Sequence, residues 1–313
     1  MRTAFIEALC ELAARDERVW LLTGDLGFSV LERFAERFPD RYVNVGVAEQ
    51  NMTGIAAGLA MSGKTVFTYS IANFPTLRCL EQIRNDVCNH NANVKIVAVG
   101  GGLAYGPAGY THHAVEDLAI MRALPNMVVV APGDPVEARL ATRAIAEHQG
   151  PCYLRLGKSH EPVVHKQPPS FSLGRAIRLR DGGDATLIST GGILPVAVEV
   201  VDLLARTGIQ IRLLSMPTLV PFDVDAVEAS ARETGAVFTL EEHRLVGGLG
   251  SAVAETLAEM GSRAPLHRLA VRDENLHAVG SQDYLRQQSG LTASQIGETI
   301  GRMLRNRKNP SRS

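Results

Sequence analysis

The sequence has 313 residues, 45% of them apolar and 21% charged, with a formal net charge of -1 at pH 7. That length predicts about two domains, each able to bury its own core, and the near-zero charge excludes a global attraction to nucleic acid or an anionic membrane. No run approaches the roughly 18 apolar residues needed to span a bilayer.

The opening MRTAFIEALCELAARDERVW carries Glu7 and Glu11 inside its apolar pattern, as expected of an amphipathic helix rather than a signal or transit peptide. From there, WLLTGD, YVNVG, TVFTY, VKIVAV, MVVVAP and CYLRL read as buried strands. Stretches around 29–37, 48–62, 75–90, 115–124 and 134–148 show helical spacing between them. Strand–helix alternation of this kind predicts a mostly parallel sheet covered by helices on both faces. The period stops at KSHEPVVHKQPPSFSLG, where Pro162, Pro168 and Pro169 mark a linker. It resumes with DATLIST, a helix from 195 to 206, IQIRLLS, helices near 223–232 and 249–260, AVFTLEE and LHRLAV. The expectation is therefore an α/β protein of two domains, 1–158 and 175–305, joined by a linker over 159–174. A basic tail over 306–313 is expected to fray. The four cysteines form no CxxC and lie in apolar segments, which predicts reduced, buried thiols in a cytoplasmic protein.

Four stretches invite chemistry. VGGGLAYGPAG looks like a phosphate cradle, but its glycines fit neither GxGxxG nor GxxxxGK[ST]. VGGLGSAVAE places a glycine turn at a helix start, where an anion binds well; tight packing against the preceding strand explains it equally. GYTHHAVED holds His112, His113 and Glu116, of which His113 and Glu116 are one helical turn apart, but no other histidine cluster supplies a further metal ligand. Hydrogen bonding to a polar ligand at a strand's carboxyl end suits these histidines better. VNVGVAEQNM sets Glu49 at a glycine turn among small and apolar residues, with only Arg41 as a basic neighbour within ten positions. A carboxylate in a helix's first turn is favoured by the helix dipole, yet one desolvated in this way needs a proton or a partner.

These stretches together resemble the transketolase family of thiamine-diphosphate enzymes. GVAEQNMTGIAAGLAMSGKTVF is similar to the segment bearing the cofactor-activating glutamate, and GDLG at 24–27 to the first strand end. TYSIANFPTLRCLEQIRND resembles the segment around the aminopyrimidine. AGYTHHAVEDLAIMRALPNMVVVAPGDPVE resembles the family's substrate-histidine stretch, and EEHRLVGGLGSAVAE its C-terminal domain. The likeness spans nearly the whole chain, in order.

The resemblance implies that Glu49 hydrogen-bonds an aminopyrimidine nitrogen and so promotes loss of the thiazolium proton. It implies that Phe74, and with it Tyr69, stacks on the pyrimidine, a plain core role being the alternative for each. Asp25 is implied at the cofactor and His112 at the donor sugar, while His113 stands where many relatives have Gln. Arg2, Ser29 and Arg155 match sugar-phosphate contacts, although Arg2 also reads as a loose terminus. No Gly-Asp-Gly for holding Mg2+ and diphosphate occurs. The resemblance is thus to the C-terminal subunit of a split enzyme, with the metal and diphosphate held mainly by an N-terminal partner in an α2β2 heterotetramer.

The implied reaction moves a two-carbon ketol unit from a ketose to an aldose. A deoxyxylulose-phosphate-synthase-like enzyme, a 2-oxo acid dehydrogenase β subunit and a non-catalytic scaffold are the alternatives. Ala108 stands where the family usually has a hydroxyl-reading Asp, which predicts laxer reading of that hydroxyl.

Overall fold

The computed structural model describes residues 1–308. Twelve strands form two sheets: β1 (Val19–Thr23), β2 (Tyr42–Asn44), β3 (Thr65–Ile71), β4 (Val94–Val99), β5 (Val128–Val130), β6 (Cys152–Leu156), β7 (Ile177–Arg180), β8 (Ala185–Thr190), β9 (Ile211–Ser215), β10 (Thr218–Val220), β11 (Val237–Arg244) and β12 (Leu266–Val271). The first sheet runs β10-β5-β6-β4-β3-β1-β2 and the second β12-β11-β8-β9-β7. All pairings are parallel except β10 on β5 and β7 on β9. Two mostly parallel sheets with helices on both faces are thus the architecture the alternating pattern predicts.

Continuously apolar strands are what two covered faces demand. In β1, Leu21 packs on the face that holds Phe5, Leu9, Phe67 and Val97. Leu22 packs on the opposite face with Met52, Ile83 and Ile96. That second cluster continues into the second domain through Ile188, Leu214 and Val253. The opposite face of the second sheet packs Leu187, Phe238 and Ile300, and Leu103 and Val115 of the first domain join that cluster.

The chain passes from β1 outward to β2, then returns through the helix Glu49–Met61 to β3 on β1's other side. Strand order therefore reverses between β1 and β3, the crevice where parallel α/β sheets place ligands. The register Thr23↔Tyr69 brings the carboxyl ends of these two strands level.

Three features depart from the sequence expectation. β10, from the second half of the chain, completes the first sheet by pairing Thr218 with Val130. The segment 157–176 lacks helix or strand. It is nevertheless strapped to the first domain, where the Val164 and His165 amides donate to Asp134 Oδ2 at 2.8 and 3.0 Å. The basic stretch expected to fray is helical as far as Lys308, in the helix Ala293–Lys308, whose Ile296, Ile300 and Leu304 are buried. The rest of that tail, 309–313, lies outside the described residues.

Candidate active site

Glu49 opens its helix after Ala48 at the N-cap, three positions past the left-handed Gly46 (φ 72°). Its carboxyl points into the crevice between β1 and β3 and is 1% exposed. A side chain at Gly24, just past β1, would come within 3.3 Å of Glu49 Oε1, so glycine keeps that approach open. On the other side Ser70, in β3, donates its hydroxyl to Oε1 at 3.2 Å. The partner that sequence distance concealed is Arg78, whose guanidinium donates to Oε2 at 2.5 Å. Arg78 lies 29 positions away, beyond reach of any local pattern, and is brought back by the β3 crossover.

The same guanidinium lies 4.7 Å from the centroid of the Phe74 ring, a cation–π geometry. Phe74 meets His112 edge-on, with centroids 5.2 Å apart and planes at 69°. Thr111 Oγ1 holds His112 Nδ1 at 3.0 Å. Tyr105 stands 6.2 Å beyond the His112 ring, and Lys158 Nζ rests 4.7 Å over Tyr105. Glu49, Phe74 and His112 are therefore gathered at one crevice. Beside them a cleft of about 320 Å³ is lined by Phe74, Arg78, Tyr110 and Glu116.

Other expected residues fall elsewhere. Tyr69 does not face Glu49, because neighbours in a strand point to opposite sides. Ser70 takes the crevice side, while Tyr69 is 2% exposed in the opposite core and stacks on Phe5 at 6.0 Å. Burial pushes its phenol well above the ordinary value, against the pull of nearby Arg2. Arg2 is no loose terminus but the first residue of the helix Arg2–Ala13.

Asp25 is exposed and pairs with Asn44. Its carboxylate accepts from Asn44 Nδ2 at 2.9 Å while its amide donates to Asn44 Oδ1 at 3.0 Å. His113 is 1% exposed and lines the same cleft as Phe74 and Arg78, with Leu276 and Gly106 on its other side. Burial lowers its pKa, against the pull of the Leu276 and Gly106 backbone, so the imidazole favours its neutral form.

Arg155, expected to present a free guanidinium, is 4% exposed and committed to the protein. Nε donates to Asp117 Oδ2 at 2.8 Å, and Nη2 donates to the carbonyls of Ala114 and Glu242 at 2.6 and 3.0 Å. Nor are Arg2, Ser29 and Arg155 gathered into one cleft. Ser29 lines a cleft of about 300 Å³ with Thr3 and Arg33. Arg155 borders an interdomain cavity of about 420 Å³ with Lys158 and Arg286.

Both glycine-rich stretches are explained by packing. A Cβ at Gly100 would strike the Tyr105 ring, one at Gly101 the Arg155 side chain and one at Gly102 the Glu242 carboxyl. The helix start at 248–250 does hold an anion, but the anion is the chain's own. Buried Glu241 accepts from the amides of Leu249 and Gly250, both at 2.7 Å.

A carboxylate and an aromatic face that together engage a flat, cationic N–H donor suit a protonated or amino-substituted heteroaromatic ring, so these residues fit an aminopyrimidine. Among the described residues no three His, Cys, Asp or Glu side chains gather to hold a metal ion.

Fold and crevice define a two-domain α/β chain in which an acid, an aromatic ring and a histidine lie close together at the strand ends. Residues 1–162 match the transketolase pyrimidine-binding domain and residues 174–296 the transketolase C-terminal domain. The chain belongs to the transketolase family. It is 41% identical over 297 residues to the 6-deoxy-6-sulfo-D-fructose transketolase subunit SqwH of Clostridium sp. (strain MSTE9), covering 95% of this chain and 92% of that one. It is 40% identical over 277 residues to one of the subunits of the apulose-4-phosphate transketolase of Phocaeicola vulgatus, covering 88% of each. A solved split-gene transketolase, described as an inactive β4 tetramer, superimposes with a TM-score of 0.90 at 39% identity, covering 97% of each chain.

Proposed function

We propose that this chain is the C-terminal subunit of a two-chain, thiamine-diphosphate-dependent transketolase. With an N-terminal partner it transfers a two-carbon ketol unit from an anionic ketose to an aldose. The observation that carries this reading is the run of contacts from Glu49 through Arg78 and Phe74 to His112. Relatives of matching length named as subunits of transketolases for a sulfonated and a phosphorylated sugar support it.

In this reading Glu49 Oε hydrogen-bonds a ring nitrogen of the aminopyrimidine and keeps a proton there, while Phe74 offers its face to the ring. Bound thiamine diphosphate supplies the carbon nucleophile that the protein lacks. Thr111 engages His112 Nδ1, which leaves Nε2 to meet the donor's hydroxyl and the oxygen that gains charge during attack. Mg2+ and the diphosphate are assigned to the partner subunit, and the working assembly to an α2β2 heterotetramer in the cytoplasm. No helix among the described residues is long and apolar enough to cross a membrane.

The test is to co-express the chain with a candidate partner carrying Gly-Asp-Gly and to measure thiamine diphosphate binding with Mg2+. The pair should bind the cofactor and transfer ketol units. Equally tight binding by this chain alone would sink the two-subunit assignment.

A further inference from the structure

Arg78 engages both groups that the functional reading gives to the pyrimidine. Its guanidinium donates to Glu49 Oε2 at 2.5 Å and lies 4.7 Å over the Phe74 ring. The Arg78 side chain is 44% exposed whereas that of Glu49 is 1% exposed, so the cation reaches in from the surface and closes over the carboxylate. A guanidinium is flat, offers N–H groups along its edge and presents a face to an aromatic ring. An aminopyrimidine protonated on the ring nitrogen that meets Glu49 offers a similar N–H edge and a similar face. Glu49 Oε2 and one face of Phe74 cannot serve both at once.

We infer that Arg78 is an internal stand-in for the cofactor's pyrimidine, and that it must leave Glu49 and Phe74 before thiamine diphosphate seats. This rests on the proposed function. The backbone is suited to such an exchange. Gln50 Nε2 donates to the Arg78 carbonyl at 3.0 Å, which anchors the turn while the long side chain moves. Glu49 is the only carboxylate with which Arg78 forms an ion pair among the described residues. A buried carboxylate stripped of its partner is strongly destabilising, and the exchange spares Glu49 that condition by handing it from one cation to another. It also sets affinity. A ligand whose site is competent only part of the time binds more weakly in proportion to that fraction.

Two measurements test this on full-length chains. The first titrates thiamine diphosphate with Mg2+ into the assembled pair by calorimetry, with and without Arg78→Met. The variant should bind about tenfold more tightly, the scale of one lost charge-assisted hydrogen bond. The second follows thermal unfolding of this chain alone as wild type, Arg78→Met, Glu49→Gln and the double variant. Arg78→Met should lower the melting temperature, and the loss should vanish in the Glu49→Gln background. If Arg78→Met does not fold, Arg78→Gln takes its place in both series.

Binding by the variant pair that is unchanged or weaker would overturn the stand-in while leaving the functional reading intact. Additive melting effects, with no coupling between positions 49 and 78, would overturn it too. No thiamine diphosphate binding by the wild-type pair would overturn the functional reading and the stand-in with it.

Discussion

At the scale of single residues, the decisive group is a carboxylate held by three elements. The helix start supplies Glu49, β3 supplies Ser70, and the turn after β3 supplies Arg78. Replacing Glu49 with Gln keeps the shape and removes the acid. Turnover of the assembled pair should fall by about 10²–10⁴-fold, the usual worth of a positioned proton-transfer group, with an unchanged circular dichroism spectrum. A scaffold subunit would lose nothing in the same assay. Gly102 carries a different constraint, because its φ is 71° and a Cβ there would lie 2.5 Å from Glu242 Oε1. Gly102→Ala should therefore destabilise the chain by about 1–3 kcal/mol in denaturant unfolding, through strain and displacement of Glu242 rather than any loss of chemistry.

At the scale of elements, the segment between the domains behaves as a strap. His165 Nε2 meets buried Glu137 Oε1 at 2.8 Å. Burial disfavours the imidazolium, but the bond to Glu137 and its charge outweigh burial, and the His165 pKa is raised. The folded chain thus holds this proton more tightly than the unfolded one. The resulting stability is fully present below the unfolded pKa of about 6.5 and is lost as pH rises through the raised folded value. His165→Gln should flatten that decline when unfolding free energy is measured across neutral to mildly alkaline pH.

Much of this scale was legible beforehand. The strands around VKIVAV and CYLRL and the Glu49 helix are long or strongly patterned, and local apolar spacing is enough to define them. β10 has three residues, and a three-residue edge pairing across 88 positions leaves no local period. Strand alternation would have separated Ser70 from Tyr69, since only one of two neighbours can face the Glu49 crevice. The Arg78 pairing left no such trace, because crossover geometry rather than spacing brings it to Glu49. Arg155 misled for a related reason. The end of a parallel strand is where ligands bind, yet a buried Asp117 from a neighbouring helix had already claimed its guanidinium.

At the scale of the whole molecule, one carboxylate joins the domains. Glu242, 4% exposed, accepts from the Leu103 amide of the first domain at 2.6 Å. From the second it accepts from Gln282 Nε2 at 2.8 Å and Arg286 Nε at 2.5 Å. Burial pushes its pKa upward, but Arg286, Gln282 and the Leu103 amide prevail and hold it below the ordinary carboxylate value. Its stabilising effect is therefore complete above the unfolded pKa of about 4.3 and is lost as pH falls through the lowered folded value. Glu242→Gln should weaken the acid dependence of unfolding, with hydrogen exchange at Leu103 rising first.

The strand that crosses between domains bears on how this chain can be cut. β5 owes its outer hydrogen-bonding partner to β10, some 90 residues downstream, so a fragment ending in the 159–174 segment would carry a bare edge beside a fully apolar VVV run. Such edges recruit any strand within reach. The first domain expressed by itself should precipitate or self-associate in light scattering, and adding back a peptide spanning 216–222 should restore its solubility. A gene divided at the loop that looks most like a hinge would yield two products, the first of them sticky.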